Sequence, residues 1–185
     1  NKIKKSFGEV YADIRKFIDL SHQDGSIKSK VIKAPEKYIR KDKHLAQSLI
    51  RLLHADKSMF LLTNSHYEYT NAVMGYAFDR ELEEFPEWRS YWDIIIVGAG
   101  KPGFFRGFQP FFEVQESSCL LLPHDGPMHP EKIYHGGNAR LLEKITGYRG
   151  DEILYVGDHI YGDILHSKDS LNWRTLLIIH ELEDE

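Results

Sequence analysis

The sequence predicts an α/β fold, a parallel sheet with helices on both faces in three layers. Three observations carry that prediction. Short runs around Met59–Leu62, Ile94–Val97, Leu154–Val156 and Leu176–Ile179 are apolar throughout, without the in–out alternation of a half-solvated strand. Amphipathic stretches with three- and four-residue spacing alternate with them. Three of the runs also end in small, polar or charged residues, and open parallel sheets gather their ligand sites at such strand ends.

Taken in order, Phe7, Val10, Tyr11, Ile14, Phe17, Ile18 and Ser21 keep helical spacing, and Asp24-Gly25 closes that helix. A second helix is expected over 35–56, with Pro35 in its first turn and Leu45, Leu49, Leu52 and Leu53 as its stripe. Strand 59–63 and helix 66–78 follow. A polar, proline-containing linker (Glu81–Arg89) then leads to strand 93–97. Residues 98–137 are rich in glycine and proline and read as a small irregular insertion, with a hairpin around Phe111–Val114 and Cys119–Leu122. Helix 138–146 stops at Gly147. Strand 153–157, helix 160–171 and strand 175–179 complete the expected order.

The 185 residues, 42% apolar and 28% charged, suit one globular domain. No window resembles a membrane span, and no signal peptide opens the chain, so a membrane partner is not expected. The lone Cys119 excludes an internal disulfide, fits a reducing compartment and so points to the cytoplasm; within Cys119-Leu120-Leu121-Leu122 it reads as a small core residue. Residues 1–57 carry a net charge of +7 and the remainder −11. The lysines of the basic half are interspersed with acids and lack aromatic interleaving, which describes a solvated surface rather than a nucleic-acid site. Trp88, Trp92 and Trp173 read as packing or interface residues, the latter compatible with a homo-oligomer. Because the sequence opens on Asn1 and a lysine-rich run typical of mid-chain sequence, a single but incomplete core domain is expected over 1–185.

The chemistry lies at three strand ends. In Gly157-Asp158-His159-Ile160-Tyr161-Gly162-Asp163, Asp158 falls at the end of a buried strand, where a hard cation such as Mg²⁺ could take its carboxylate. Asp163 would then support that site. The plainer reading makes Asp158 a helix cap and Asp163 a surface residue. Gly157 would allow a sharp turn, and Gly162 a close approach. Thr63-Asn64-Ser65 precedes a helix, so its hydroxyls and N–H groups suit either an anion or simple capping. Lys101, just beyond strand 93–97, suits neutralising a phosphate or an aspartate, or is an exposed loop lysine.

Gly98-Ala99-Gly100-Lys101-Pro102-Gly103 formally fits a dinucleotide fingerprint. Pro102 and the glycines after it argue against the required helix, and the lysine falls too early for a Walker loop. His124, His129 and His135 share one loop without metal-ligand spacing.

In order and spacing these strand ends resemble the second, third and fourth motifs of the haloacid-dehalogenase (HAD) superfamily. The phrases Thr63-Asn64-Ser65-x-Tyr67-x-Tyr69-Thr70, Gly100-Lys101-Pro102-x-Phe104-Phe105, Gly157 through Lys168 and Trp173-Arg174-Thr175 are similar to the cytosolic purine (IMP/GMP-preferring) 5′-nucleotidase family. The likeness runs from about Phe7 to Glu181. It implies a Rossmann-like, HAD-type core and Mg²⁺-dependent hydrolysis of purine nucleoside 5′-monophosphates through a phosphoaspartate. In the family pattern Thr63, with Asn64 and Ser65 beside it, would bind the phosphate. Lys101 would hold phosphate and nucleophile together, Asp158 would ligate Mg²⁺, and Asp163 would support that ligand. The family's first motif, Asp-x-Asp, does not occur in these 185 residues; Asp13, Asp19 and Asp24 lie on or after a helix. The attacking carboxylate is therefore expected upstream. A catalytically inactive binding or regulatory module, or another phosphatase or phosphotransferase of the superfamily, are the competing readings.

Overall fold

The structure, a computed structural model, describes residues 4–23 and 25–179. The expected helix stop at Asp24 lies outside them. Helices α1 (Phe7–Gln23), α2 (Ser26–Lys33) and α3 (Lys43–His54) lead into strand β1 (Phe60–Leu62). Helix α4 (Tyr67–Phe78), strand β2 (Ile94–Val97) and a single turn, α5 (Gly103–Arg106), follow. Strands β3 (Phe111–Gln115), β4 (Leu120–His124) and β5 (Ile133–Gly136) precede helix α6 (Ala139–Thr146). Strand β6 (Leu154–Gly157), helix α7 (His166–Leu171) and strand β7 (Arg174–Leu177) come last.

Five strands form one sheet in the order β1-β2-β5-β3-β4, with β1, β2 and β5 parallel and the β3–β4 hairpin antiparallel at one end. The parallel pair β6–β7 forms a second sheet. Side-chain alternation divides the core into two layers. On one face Leu62, Ile96, Tyr134 and Phe111 pack against Phe104 and Phe105 of α5, Leu142 of α6, and Tyr155 and Trp173. On the other, Ile95, Val97, Val114 and Ile133 pack against Ala46 of α3, Phe78 of α4, and Trp88 and Tyr91 of a 3₁₀ turn. Each fully buried large side chain contributes about 1.5–3 kcal/mol. Helices do cover both faces, as expected for this fold class.

Four details differ from expectation. The glycine-rich stretch hides β5, which pairs with both β2 and β3 and so joins the hairpin to the parallel strands. Its Ile133 and Tyr134 are fully buried, but Gly136-Gly137 and the nearby prolines mask a four-residue strand. The single helix expected over 35–56 is instead a 3₁₀ turn at Pro35–Lys37 followed by α3, and α2 precedes them over residues where no helix was expected. Ala34 before Pro35 is held in a non-helical conformation, and Asp42 restarts the helix by accepting the His44 N–H at 2.8 Å. Residues 103–106 wind one turn because Phe104 and Phe105 are pulled into the core. Residues 160–165 form a π-helix before α7 rather than one continuous α-helix.

The two sheets approach each other without pairing. Asp93 N–H donates to Met59 O, Thr63 N–H to Ile96 O, and Ala99 N–H to Thr63 O. Alternation then turns the backbone groups of Phe60 and Leu62 away from β2. Arg174 N–H donates to Ile153 O and Ile178 N–H to Gly157 O, which likewise leaves the Leu154 and Val156 edge of β6 free of β7. Between these edges the Phe60 ring stacks on Tyr155, centroids 6.3 Å apart, and meets Trp173 edge-on at 6.1 Å.

Candidate active site

The carboxyl ends of β1, β2 and β6 face the same rim. Thr63 Oγ1 accepts the Ser65 N–H at 3.1 Å, which leaves the hydroxyl proton free to donate outward. Ser65 O accepts from Gly98 N–H at 2.8 Å, lacing the loop after β1 to the loop after β2. Asn64 completes the lacing by gripping the backbone of Lys101 at two points. Its Oδ1 accepts the Lys101 N–H at 2.6 Å, and its Nδ2 donates to Lys101 O at 3.0 Å.

From that fixed backbone the Lys101 side chain reaches across to β6. Its Nζ lies 2.8 Å from Asp163 Oδ1, 2.7 Å from the Tyr155 hydroxyl and 3.3 Å from Leu62 O. Asp163 is 4% exposed, and its Oδ2 accepts the His159 N–H at 3.3 Å. Gly157 makes room for it: a Cβ there would sit 2.7–2.8 Å from Cβ, Cγ and Oδ2 of Asp163. Gly157 is thus required for close approach rather than for a left-handed turn. Gly162 donates its N–H to His159 Nδ1 at 2.8 Å, which closes the loop between the two aspartates. Burial, reinforced by the Asp163 charge, pushes the Tyr155 phenol far above its ordinary pKa, so it remains a neutral hydroxyl. Asp158 differs from all of these: it is exposed and makes no hydrogen bond or ion pair among the described residues.

A second cluster lies one strand further along the rim. The His135 ring, at the end of β5, stacks on His66 with centroids 5.7 Å apart. Burial and the neighbouring His66 lower the His135 pKa. Gly98, at φ 55°, permits the contact, since a Cβ there would lie 2.2 Å from His135 Nε2.

Residues 1–185 match the 5′ nucleotidase family over their whole length. The chain belongs to the 5′-nucleotidase family. It is 30% identical over 178 residues to a 5′-nucleotidase domain-containing protein of Dictyostelium discoideum, an alignment covering 95% of this chain. The chain spans only 30% of that relative's own length.

Within this member of the 5′-nucleotidase family, Lys101 and Asp163 are in contact, and Thr63, Asn64 and Ser65 lie on the loop laced to Lys101. Asp158 stands at the end of β6 with a free carboxylate. The donor set is oxygen-only, which suits a hard cation such as Mg²⁺. Asp163 has both oxygens engaged, on Lys101 and Tyr155 through one and the loop through the other, whereas the Asp158 carboxylate has no partner among the described residues and could take a cation. No group of three His, Cys, Asp or Glu placed to hold a metal occurs among the described residues. Of the three loop histidines, the His124 ring lies tilted against Tyr134 at 4.8 Å, the His129 backbone N–H donates to the Tyr134 hydroxyl, and His135 turns to His66. Cys119 is exposed, not a core residue, because it occupies the hairpin turn at φ 55°.

Sequence reasoning passed over Tyr155, which sits within an apolar strand and reads as core. One signal was available: a buried tyrosine hydroxyl needs a partner, and a strand leading into two aspartates offers one.

Proposed function

We propose that this chain is the catalytic-core portion of a cytoplasmic, Mg²⁺-dependent 5′-nucleotidase that hydrolyses purine nucleoside 5′-monophosphates. The observation that supports it most is the convergence of Lys101, Asp163 and the Thr63 loop at the rim where β1 and β6 present facing, unpaired edges. The attacking carboxylate would come from a segment outside these 185 residues, at a strand entering between those edges beside Lys101. That carboxylate would attack phosphorus to give a phosphoaspartate, with the ribose 5′-oxygen leaving, and water would then release phosphate. Thr63 would donate its free hydroxyl proton to a phosphate oxygen, and Lys101 would offset charge between phosphate and nucleophile. A Mg²⁺ ion held by Asp158 would offset further phosphate charge. Asp163 would keep Lys101 in place.

The test is phosphate release from IMP by the intact protein, with Asp158→Asn beside the wild type. A fall of about 100-fold or more is expected, on the scale of lost transition-state charge stabilisation. A variant as fast as the wild type overturns the assignment of Asp158. A panel of purine and pyrimidine nucleotides and sugar phosphates decides the substrate class. One observation favours a second reading, a catalytically inactive module of the same fold: Asp-x-Asp is absent from the sequence. The reading frame upstream of Asn1 separates the two, since an Asp-x-Asp strand end there supports the enzyme and a start codon beside Asn1 supports the module.

A further inference from the structure

We propose that Tyr155 is the positioning residue for Lys101: its hydroxyl holds the ammonium between β1 and β6 and fixes the direction in which its remaining N–H points. An ammonium only donates and an ionised carboxylate only accepts. The hydroxyl, 2.7 Å from Lys101 Nζ and 3.1 Å from Asp163 Oδ1, therefore accepts from the lysine and donates to the aspartate. Nζ lies 5.4 Å from the ring centroid, so it sits beyond the hydroxyl at the ring edge, in a hydrogen bond rather than over the π face.

The ring cannot follow the lysine, because Phe60, Phe105 and Trp173 enclose it with centroids at 6.3, 5.5 and 6.2 Å. All three ammonium N–H groups are engaged, by Tyr155, Asp163 and, at the longest distance of 3.3 Å, Leu62 O. The Leu62 contact is the longest and involves a neutral acceptor, so it is the one an arriving phosphate oxygen replaces. Two anchors then keep the third N–H aimed at the phosphate. Without the hydroxyl, Asp163 is the sole strong anchor, and the ammonium swings about that one contact with no N–H fixed on the phosphate.

The kinetic consequence rests on the nucleotidase reading; the triangle of contacts does not. Tyr155→Phe in the intact protein should raise KM for IMP and Kd for orthophosphate about 10-fold while kcat stays within about threefold, the signature of lost ground-state positioning. Phe111→Leu thins the same core layer at a ring that packs on Phe104 rather than on Tyr155, and should leave both constants within about twofold. In ¹⁵N-lysine spectra, the wild-type protein should show a slowly exchanging ammonium signal that Lys101→Arg removes and Tyr155→Phe exposes to fast exchange. Equal kinetic effects of Tyr155→Phe and Phe111→Leu, or a wild-type Lys101 signal exchanging as fast as surface lysines, overturn the proposal. If the wild type releases no phosphate from IMP, the nucleotidase reading fails, and the ammonium signal with the orthophosphate titration decides on Tyr155. If Tyr155→Phe does not fold, the wild-type signal alone decides.

Discussion

Neutralising Lys101 and Asp163 one at a time and together measures how strongly the rim depends on this ion pair. At 2.8 Å the gross attraction is about 6 kcal/mol at an effective dielectric constant of 20, most of it offset by desolvation of the two groups. The side chains of Lys101 and Asp163 are 13% and 6% exposed, so solvent screens little of what remains. Lys101→Met leaves a buried carboxylate with only the Tyr155 hydroxyl and the His159 N–H, at a cost of about 3 kcal/mol, the low end for breaking a buried pair. Asp163→Asn strands the ammonium with Tyr155 and Leu62 O, at about 2 kcal/mol. In the double variant neither charge is left alone, and the loss should be about 2 kcal/mol rather than the 5 kcal/mol of simple addition. Urea denaturation followed through Trp173, whose ring is 6.2 Å from Tyr155, measures all three. Additivity within about 0.5 kcal/mol would show that the pair does not couple and refute this account.

Gly157→Ala forces a Cβ to within 2.7–2.8 Å of Asp163 and should destabilise by about 2 kcal/mol through overpacking; a urea midpoint equal to the wild type's would contradict the close approach. At the other end of the sheet, Arg89 donates to both oxygens of Glu116, at 2.8 and 2.7 Å, and Tyr67 donates to it at 2.7 Å. Led by the Arg89 bonds, these hold the Glu116 pKa below its ordinary 4.5. A lowered folded-state pKa contributes stability that is present above about pH 4.5 and lost as pH falls through the folded value, so Glu116→Gln should flatten the acid side of a Tm–pH profile. Tyr67, raised to about 12 chiefly by burial, stays protonated throughout that window. Residues 1–185 expressed alone should be poorly soluble, since Leu154, Val156, Leu176 and Ile178 are about half exposed beside unpaired strand edges. A monodisperse, cooperatively unfolding sample in analytical ultracentrifugation and calorimetry would contradict that.

Much of the fold was legible because its signals are local. The runs at 60–62, 94–97 and 154–156 are apolar throughout and each forms a strand, although in the last only Tyr155 is buried, and the ends of α4 and α6 fall within a residue of expectation. The failures share a cause. Ile133-Tyr134-His135-Gly136 becomes a strand only through its neighbours β2 and β3, and no local pattern announces that. The break at Pro35 could have been read, because the residue before proline resists the helical conformation. At the site, strand-end residue types pointed to Lys101 and Asp163, but not to Asn64 turning its amide onto the Lys101 backbone. A contact across 37 positions depends on how two loops meet over the sheet rim, which composition does not encode.

Charge at the rim sets what the site can receive. Lys101 and Asp163 neutralise each other, which leaves the Asp158 carboxylate as the unpaired charge among the described residues of the rim. A phosphate dianion arriving alone would meet that carboxylate with a repulsion of about 2–8 kcal/mol at 4 Å, the range between bulk water and a protein surface. A divalent cation on Asp158 reverses the sign, so phosphate and metal should bind cooperatively. Orthophosphate titrated calorimetrically into the intact protein should bind at least about 10-fold more tightly with Mg²⁺ than in EDTA, and Asp158→Asn should shrink the difference, since it removes one carboxylate's repulsion and a ligand of the metal. Equal affinity with and without Mg²⁺ would mean that the phosphate does not meet Asp158, and the assignment of this rim as one joint site would fail.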